Sequence, residues 1–429
     1  MSDKLPDSGQ TPTRTRYWVI FFAVTLGILA YIDRVSMSQA APVISRDLGL
    51  SKTQMGSIFA AFGLAYALFE IPSGWLGDWL GARSVLIRIV IWWSFFTAAT
   101  GWMWSFTSMW VTRFLFGAGE AGCFPNLTKA FSVWLPQREK VRAQGIMWMA
   151  ARWGGALTPP LVVATFVYFN WRTAFLLYGL LGVVWAFFFY RWYRDNPRDH
   201  KSVNAAELAL LEGSENLASG HADVPWGRLV TSGSIWLLWL QYFLISYSWY
   251  FYITWLPTYL QEARGLDAGT SANYAVLPLL FGGFGNLVSG WLSPIIAEKI
   301  GSVRVTRRVM GSLGFFGAAV CMIISARLGE PGWAMIMMGL ASFCNDLVMP
   351  GAWAACMDIG GRYAGTVAGS MNMMGNLAGF VAPFAGGYIV QHTGGDWSFF
   401  LYTMAGSYLL GTLCWPFIDP VTSIDHPRA

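Results

Sequence analysis

The chain of 429 residues is 55% hydrophobic and only 12% charged, where a soluble domain carries about 25% charged residues. That shortage excludes an ordinary soluble enzyme, and an aromatic content of 17% leaves more apolar surface than a water-facing protein tolerates, so a lipid bilayer is the expected solvent. The net charge of +5 does not signal a nucleic-acid partner, because the Lys and Arg residues are scattered through short segments and form no stripe or basic tail.

In chain order, residues 1–16 form a polar tail that enters an apolar stretch without a small-residue cleavage pattern, so the first span is expected to be retained. Apolar stretches near 17–40, 54–76, 84–104, 108–134, 144–168 and 171–193 read as six spans. A polar linker over 194–233 follows, holding Asp195, Arg198, Asp199, Lys201, Glu207, Glu212 and Glu215. Six more spans lie near 234–259, 271–297, 306–326, 332–356, 364–390 and 396–418, and 419–429 is a second polar tail. Apolar runs such as Ile235 to Leu256 fit helices, whereas a closed barrel alternates polar and apolar residues over about ten positions. The expected fold is an all-α polytopic membrane protein of twelve transmembrane helices, with an N-terminal half over 17–193 and a C-terminal half over 234–418.

With a cytoplasmic N-terminus, 19 of the 28 Lys and Arg residues fall in cytoplasmic segments, five (Arg46, Lys52, Arg172, Arg264, Arg327) in external ones and four within spans. The positive-inside rule then places both termini and the linker in the cytoplasm. The halves also repeat. Gly145, Met149, Gly155 and Pro159 in the fifth span recur 224 positions later as Gly369, Met373, Gly379 and Pro383, and Phe175-Leu-Leu-Tyr178 recurs at the same offset as Phe399-Phe-Leu-Tyr402. With a small register change, Gly74-Trp-Leu76 recurs as Gly290-Trp-Leu292. Two parallel six-span repeats around a central cavity suit an alternating-access carrier, with its site at the half interface near mid-membrane.

A charge at a helix centre costs about 2.5 to 3.5 kcal/mol and so demands a partner or a wet cavity. Asp33, Arg34, Arg113, Glu120, Lys129, Arg152 and Asp346 are in that position. Lys129, near the cytoplasmic end of its span, is expected to snorkel. Arg113 and Glu120 are two turns apart and share a face, with Gly117, Gly119 and Gly122 around them. The plain reading is a set of structural ion pairs knitting spans one and four together. The functional reading gains weight because Arg34, Arg113 and Arg152 sit at mid-span depth in the first half, with no counterpart in the second. Such an asymmetric cavity attracts an anion, which arginine holds in a bidentate fork. An anion on the arginine would free Glu120 or Asp33 to exchange a proton. Glu70 is expected in gate packing, and Asp346, beside Asn345, stands as an unpaired third proton or substrate site. Tyr31, Tyr66, Trp353, Asn372 and Asn376 are candidates to orient a polyhydroxylated ligand, against their plain reading as packing or interface anchors.

The five cysteines lie in apolar segments without CxxC spacing, implying neither disulfide nor metal. The four histidines fall in loops or tails and no Ser sits in a GxSxG turn, so enzymatic chemistry is not expected.

Gly74-Trp-Leu-Gly-Asp78-Trp-Leu-Gly81-Ala-Arg83 resembles the signature loop of the major facilitator superfamily, in which the acid and base form a cytoplasmic gate latch; Trp79 stands where that family usually has a base. Tyr31-Ile-Asp-Arg34, Arg113-Phe-Leu-Phe-Gly-Ala-Gly-Glu120, Pro125-Asn126 and Thr254-Trp-Leu-Pro-Thr-Tyr259 resemble its anion:cation symporter branch, which includes galactonate, glucarate and hexuronate carriers. The resemblance implies that Arg34 and Arg113 engage a substrate carboxylate while Glu120 and Asp33 are protonatable. It also implies that Tyr31, Tyr66 and Asn372 line the site and that Gly74, Asp78, Gly81 and Arg83 gate it. Ala151, next to Arg152, departs from a polar residue of galactonate carriers, and Asn345-Asp346 departs as well. The resulting expectation is a monomeric carrier in a bacterial inner membrane that imports a sugar acid with protons and without a cofactor. An organic-anion or organic-phosphate exchanger, a carrier of another small carboxylate and a non-transporting sensor are the alternatives.

Overall fold

The computed structural model describes residues 11–50, 52–211 and 224–424. Glu212, Glu215, His221, His426 and the outer part of each polar tail lie outside the described residues. The first half comprises α1 (Arg16–Leu48), α2 (Lys52–Leu80), α3 (Ala82–Thr100), α4 (Phe106–Glu120), α5 (Cys123–Trp134), α6 (Gln137–Tyr168) and α7 (Trp171–Trp192). Two short helices follow, α8 (Ala205–Leu210) and α9 (Trp226–Thr231). The second half comprises α10 (Gly233–Thr254), α11 (Leu256–Glu262), α12 (Ala268–Ile300), α13 (Val303–Arg327), α14 (Pro331–Gly360), α15 (Ala364–His392) and α16 (Trp397–Cys414). Taking α4 with α5 and α10 with α11, the described residues form twelve long rods. Seven helical stretches are apolar and long enough to cross a membrane by length and composition, and large apolar side chains such as Phe188, Leu313, Phe380 and Leu413 lie exposed on the perimeter, where lipid replaces water.

The rods outrun their apolar boundaries. At a rise of about 1.5 Å per residue, a helix as long as α1 exceeds a hydrocarbon core of about 30 Å, so its last turns continue past the point where hydropathy stops reporting. The fourth span is not the continuous helix expected over 108–134. It breaks after Glu120, where Ala121 adopts φ −53° and ψ 136° and Gly122 adopts φ +84°. Gly122 suits this turn twice over, since a Cβ there would lie 2.2 Å from Ser73 Cβ. Asn126 repairs the break by donating Nδ2–H to the Gly122 carbonyl at 2.8 Å and to the Ser73 carbonyl at 3.1 Å, as a non-helical segment at membrane depth requires.

The two halves pack alike: α1 lies on α6 as α10 lies on α15, α2 on α4 as α12 on α14, and α3 on α7 as α13 on α16. Between halves, α6 crosses α12 and α2 crosses α15, and the repeated glycines make both crossings. A Cβ on Gly145 would lie 2.5 Å from the Asn286 carbonyl oxygen, and one on Gly369 would lie 2.8 Å from that of Glu70. Gly369 is the repeat of Gly145, and Glu70 precedes Gly74 by the same four residues that separate Asn286 from Gly290. The internal repeat is therefore visible as one contact made twice, with small residues allowing the backbones to touch.

Both ends of the described chain lie at one end of the bundle, which is shut. Arg16 pairs with Glu139 at 2.8 Å and Glu207 at 3.0 Å, and the Ile424 N–H donates to the Ile359 carbonyl at 2.8 Å. Asp358 at the end of α14 receives Lys140 of α6 at 3.1 Å, Arg307 of α13 at 2.6 Å and the Gln137 amide.

Candidate substrate-binding site

The halves face one another across a cavity that is partly open to its surroundings. One wall carries Tyr31 and Arg34 of α1, Tyr66 of α2, Phe124 of α5, and Trp148 and Arg152 of α6. The opposite wall carries Tyr242, Ser246, Trp249 and Tyr250 of α10, Asn345 of α14, and Asn372 and Asn376 of α15. Cations line only the first wall among the described residues.

Arg34 donates Nε–H to Glu120 Oε1 at 2.7 Å. The break after α4 explains how a carboxylate reaches this point, since Glu120 is the last residue of that helix and fully buried. Rings of Tyr66, Phe62, Tyr31 and Phe124 stand 4.7, 5.3, 5.6 and 5.7 Å from the Arg34 guanidinium carbon, replacing part of its hydration by cation–π attraction. Neither Arg34 Nη2 nor Glu120 Oε2 has a hydrogen-bond partner among the described residues. Both members of the pair thus keep hydrogen-bonding capacity that a ligand or a proton can use.

Asp346 is not the unpaired acid expected from the sequence. Arg152 grips it in a fork, Nε to Oδ2 at 2.9 Å and Nη2 to Oδ1 at 3.0 Å, and the Asn286 and Asn345 amides donate to the same carboxylate at 2.9 and 2.8 Å. The partner was invisible in sequence because it sits 194 residues away in the other half. Glu70 is likewise more than gate packing. Asn372 donates Nδ2–H to its Oε1 at 2.5 Å, and Asn372 lines the cavity, so Glu70 underlies the floor. Asn376 donates to the Asn372 carbonyl at 2.9 Å and accepts from the Tyr250 hydroxyl at 3.2 Å.

Three expected site residues stand behind the lining. Arg113 is buried with its guanidinium over the Phe116 ring at 4.2 Å and near Phe62 at 5.6 Å. Asp33 is buried near Glu120 and Arg113. Trp353 donates its indole N–H to the Tyr242 hydroxyl at 3.2 Å and packs against Trp148 at 5.2 Å, so it supports lining residues from behind. Lys129 does not snorkel: it is 1% exposed, 3.2 Å from Asp78, and donates to the Arg362 carbonyl. The short helix α5, held down by the break before it, leaves its ammonium no route to the headgroups.

The four residues expected to gate the site divide their contacts. Asp78 accepts from the Gly365 and Thr366 N–H groups at 3.0 and 2.6 Å, and from the Thr366 hydroxyl at 2.7 Å. A carboxylate from the first half thereby caps the positive end of α15 in the second. Gly74 lets the backbones meet, since a Cβ there would lie 2.3 Å from the Gly365 carbonyl oxygen. Arg83 does not latch onto Asp78; it donates to the Tyr190 carbonyl at 2.6 Å, and its N–H to Asp195 at 2.9 Å. Gly81, at φ +85°, leaves room for that Asp195 carboxylate.

Tyr242, Ser246 and Tyr250 were missed in sequence. They recur every fourth residue in the seventh span, a helical polar stripe that the abundance of Trp and Tyr in that span concealed.

Across residues 23–383 the chain matches the profile of the Major Facilitator Superfamily. It is 35% identical over 418 residues to a probable sulfoacetate transporter of Cupriavidus necator, with 96% of each chain covered. It is 29% identical over 395 residues to a hexuronate transporter of Bacillus subtilis, covering 91% of this chain and 90% of that one. Among solved structures, a superfamily proton:xylose symporter bound to 6-bromo-6-deoxy-D-glucose matches with a TM-score of 0.76 over 95% of this chain and 97% of that one; at 14% identity the likeness concerns the fold alone. The relatives and fold neighbours are transporters, and so is this multi-pass membrane protein. The chain belongs to the Major Facilitator Superfamily, on its anion:cation symporter-type branch.

Proposed function

We propose that the protein imports a small organic anion, a sugar acid of the hexonate, hexuronate or aldarate class, into a bacterial cytoplasm by proton symport with alternating access. The observation that carries this reading is the Arg34–Glu120 pair on the cavity, ringed by aromatic faces and opposed by amide and hydroxyl groups. An entering carboxylate competes with Glu120 for the guanidinium. A buried carboxylate that loses its cation is cheaper neutral than charged, so it takes up a proton. Substrate and proton then load together without covalent chemistry or a cofactor. Tyr31, Tyr250, Ser246, Asn372 and Asn376 offer donors and acceptors to substrate hydroxyls. Arg113 and Asp33 set the local field from behind.

The positive-inside distribution supports a cytoplasmic location for the shut end that carries both termini. That orientation fits a cavity reached from outside, the state that receives an imported substrate, and one monomer contains the whole set of lining residues. A phosphate exchanger is disfavoured because the wall from the second half brings no cation to a phosphate. A second reading, a shorter sulfonated carboxylate, is favoured by the relative from Cupriavidus necator.

Uptake of radiolabelled galactonate, glucuronate, glucarate and sulfoacetate into proteoliposomes, with and without an imposed proton gradient, tests the proposal. Gradient-driven accumulation of one of the first three supports it, accumulation of sulfoacetate alone selects the second reading, and gradient-independent equilibration overturns symport.

A further inference from the structure

We infer that the cavity selects an anion with two acidic groups, one received by Arg34 and the other by Arg152, and that the second group takes Arg152 away from Asp346 and so breaks a bond between the halves. This rests on the carboxylate-carrier reading above and narrows its substrate to dianions, whether dicarboxylate or sulfocarboxylate.

The two arginines are built alike. Each lines the cavity, each holds a buried carboxylate, and each has an aromatic face beside it: Tyr66 for Arg34, and for Arg152 the Trp249 ring, 3.2 Å from the guanidinium carbon. Tyr31 adjoins both. Its ring is 5.6 Å from the Arg34 guanidinium carbon and rests on Gly155, one turn beyond Arg152, where a Cβ would lie 2.9 Å from it. A short molecule can therefore reach both cations past a single ring.

The Arg152–Asp346 pair differs from a static buried pair in one respect. Removing one member of such a pair is costly because the other is left unpaired in low dielectric. Here each member has a partner in reserve. Asp346 retains the Asn286 and Asn345 amides, and Arg152 retains the Trp249 face. Those reserves lower the cost of separation when an acidic group replaces Asp346 in the fork, since one charge-assisted fork is exchanged for another. Asp346 belongs to α14 of the second half and Arg152 to α6 of the first, so the exchange severs a tie between the halves beside the substrate. A monoanion satisfied by Arg34 leaves that tie intact.

Titration calorimetry on the purified full-length protein, with paired ligands differing in one acidic group, reads the effect directly: gluconate against glucarate, and propionate against 3-sulfopropionate. At least one dianion should bind about tenfold or more tighter than its monoanion, a difference of the size one charge-assisted fork supplies. Which pair discriminates tells carboxylate from sulfonate. Arg152→Gln should bring that ratio to within about threefold of unity by weakening the dianion far more than the monoanion. Should this variant fail to fold, Arg152→Gln with Asp346→Asn keeps the shape of the pair without its charge and is expected to behave the same way. Equal binding of monoanion and dianion by the wild type, or an equal loss of both in the variants, overturns the inference while sparing the carboxylate-carrier reading. No binding of any of the four overturns the inference alone, because galactonate and glucuronate uptake decides the carboxylate-carrier reading separately.

Discussion

Arg34 is the one cavity cation whose partner, Glu120, also retains an unused oxygen, so substitutions at this pair separate binding from coupling. Arg34→Ala should abolish the thermal stabilisation that sugar acids confer on the purified protein, because no other guanidinium of the lining stands in the same aromatic box. Glu120→Gln should preserve counterflow exchange of labelled substrate yet lose gradient-driven accumulation, and unchanged accumulation would remove Glu120 from the proton path. At this scale the sequence was informative about residue type and poor about partners. A charge in an apolar span announces itself by its cost, which is how Arg34, Glu120, Arg152 and Asp346 were found. Whether it is paired depends on residues far away in sequence, which is why Asp346 looked unpaired and Lys129 looked free to reach the headgroups.

Helix continuity was legible only in part. The apolar run 108–134 gives no hint of a break at residue 121, since hydropathy averages over a window and a single pair of dihedral angles decides the turn. Gly122 supplies φ +84° and lies against Ser73. Gly122→Ala should therefore lower the thermal stability of the protein, by about 1–3 kcal/mol for the strain and overpacking together, and should weaken substrate binding because Glu120 ends the preceding helix. Stability unchanged in that variant would show that the turn tolerates a side chain. The glycines of the internal repeat carried more than they first revealed. Their common offset signalled duplication, and in three dimensions Gly145 and Gly369 make the same backbone contact at the two crossings between halves.

Across the whole molecule, two acids tie the halves together at the end that carries the termini. Asp78 caps α15 and pairs with Lys129, while Asp358 gathers Lys140, Arg307 and Gln137. Asp78→Asn combined with Asp358→Asn should shift the population toward opening at this end. The readout is the distance between spin labels on exposed Arg138 and Val305, one in each half, which should gain a longer component without substrate; an unchanged distribution would assign the closure to helix packing alone. Gly74→Ala should act in the same direction by placing a methyl group against the Gly365 carbonyl.

The sequence by itself determined the solvent, the helical class, the count of long rods and the duplication, because each follows from local composition or from a period along the chain. It also determined which charges needed explaining. Only the tertiary structure decided that Arg152 and Asp346 hold each other across the halves, that Arg113 and Trp353 support the cavity from behind, and that α10 furnishes its facing wall. Those outcomes depend on which helix lies beside which, and no pattern along one helix carries that information.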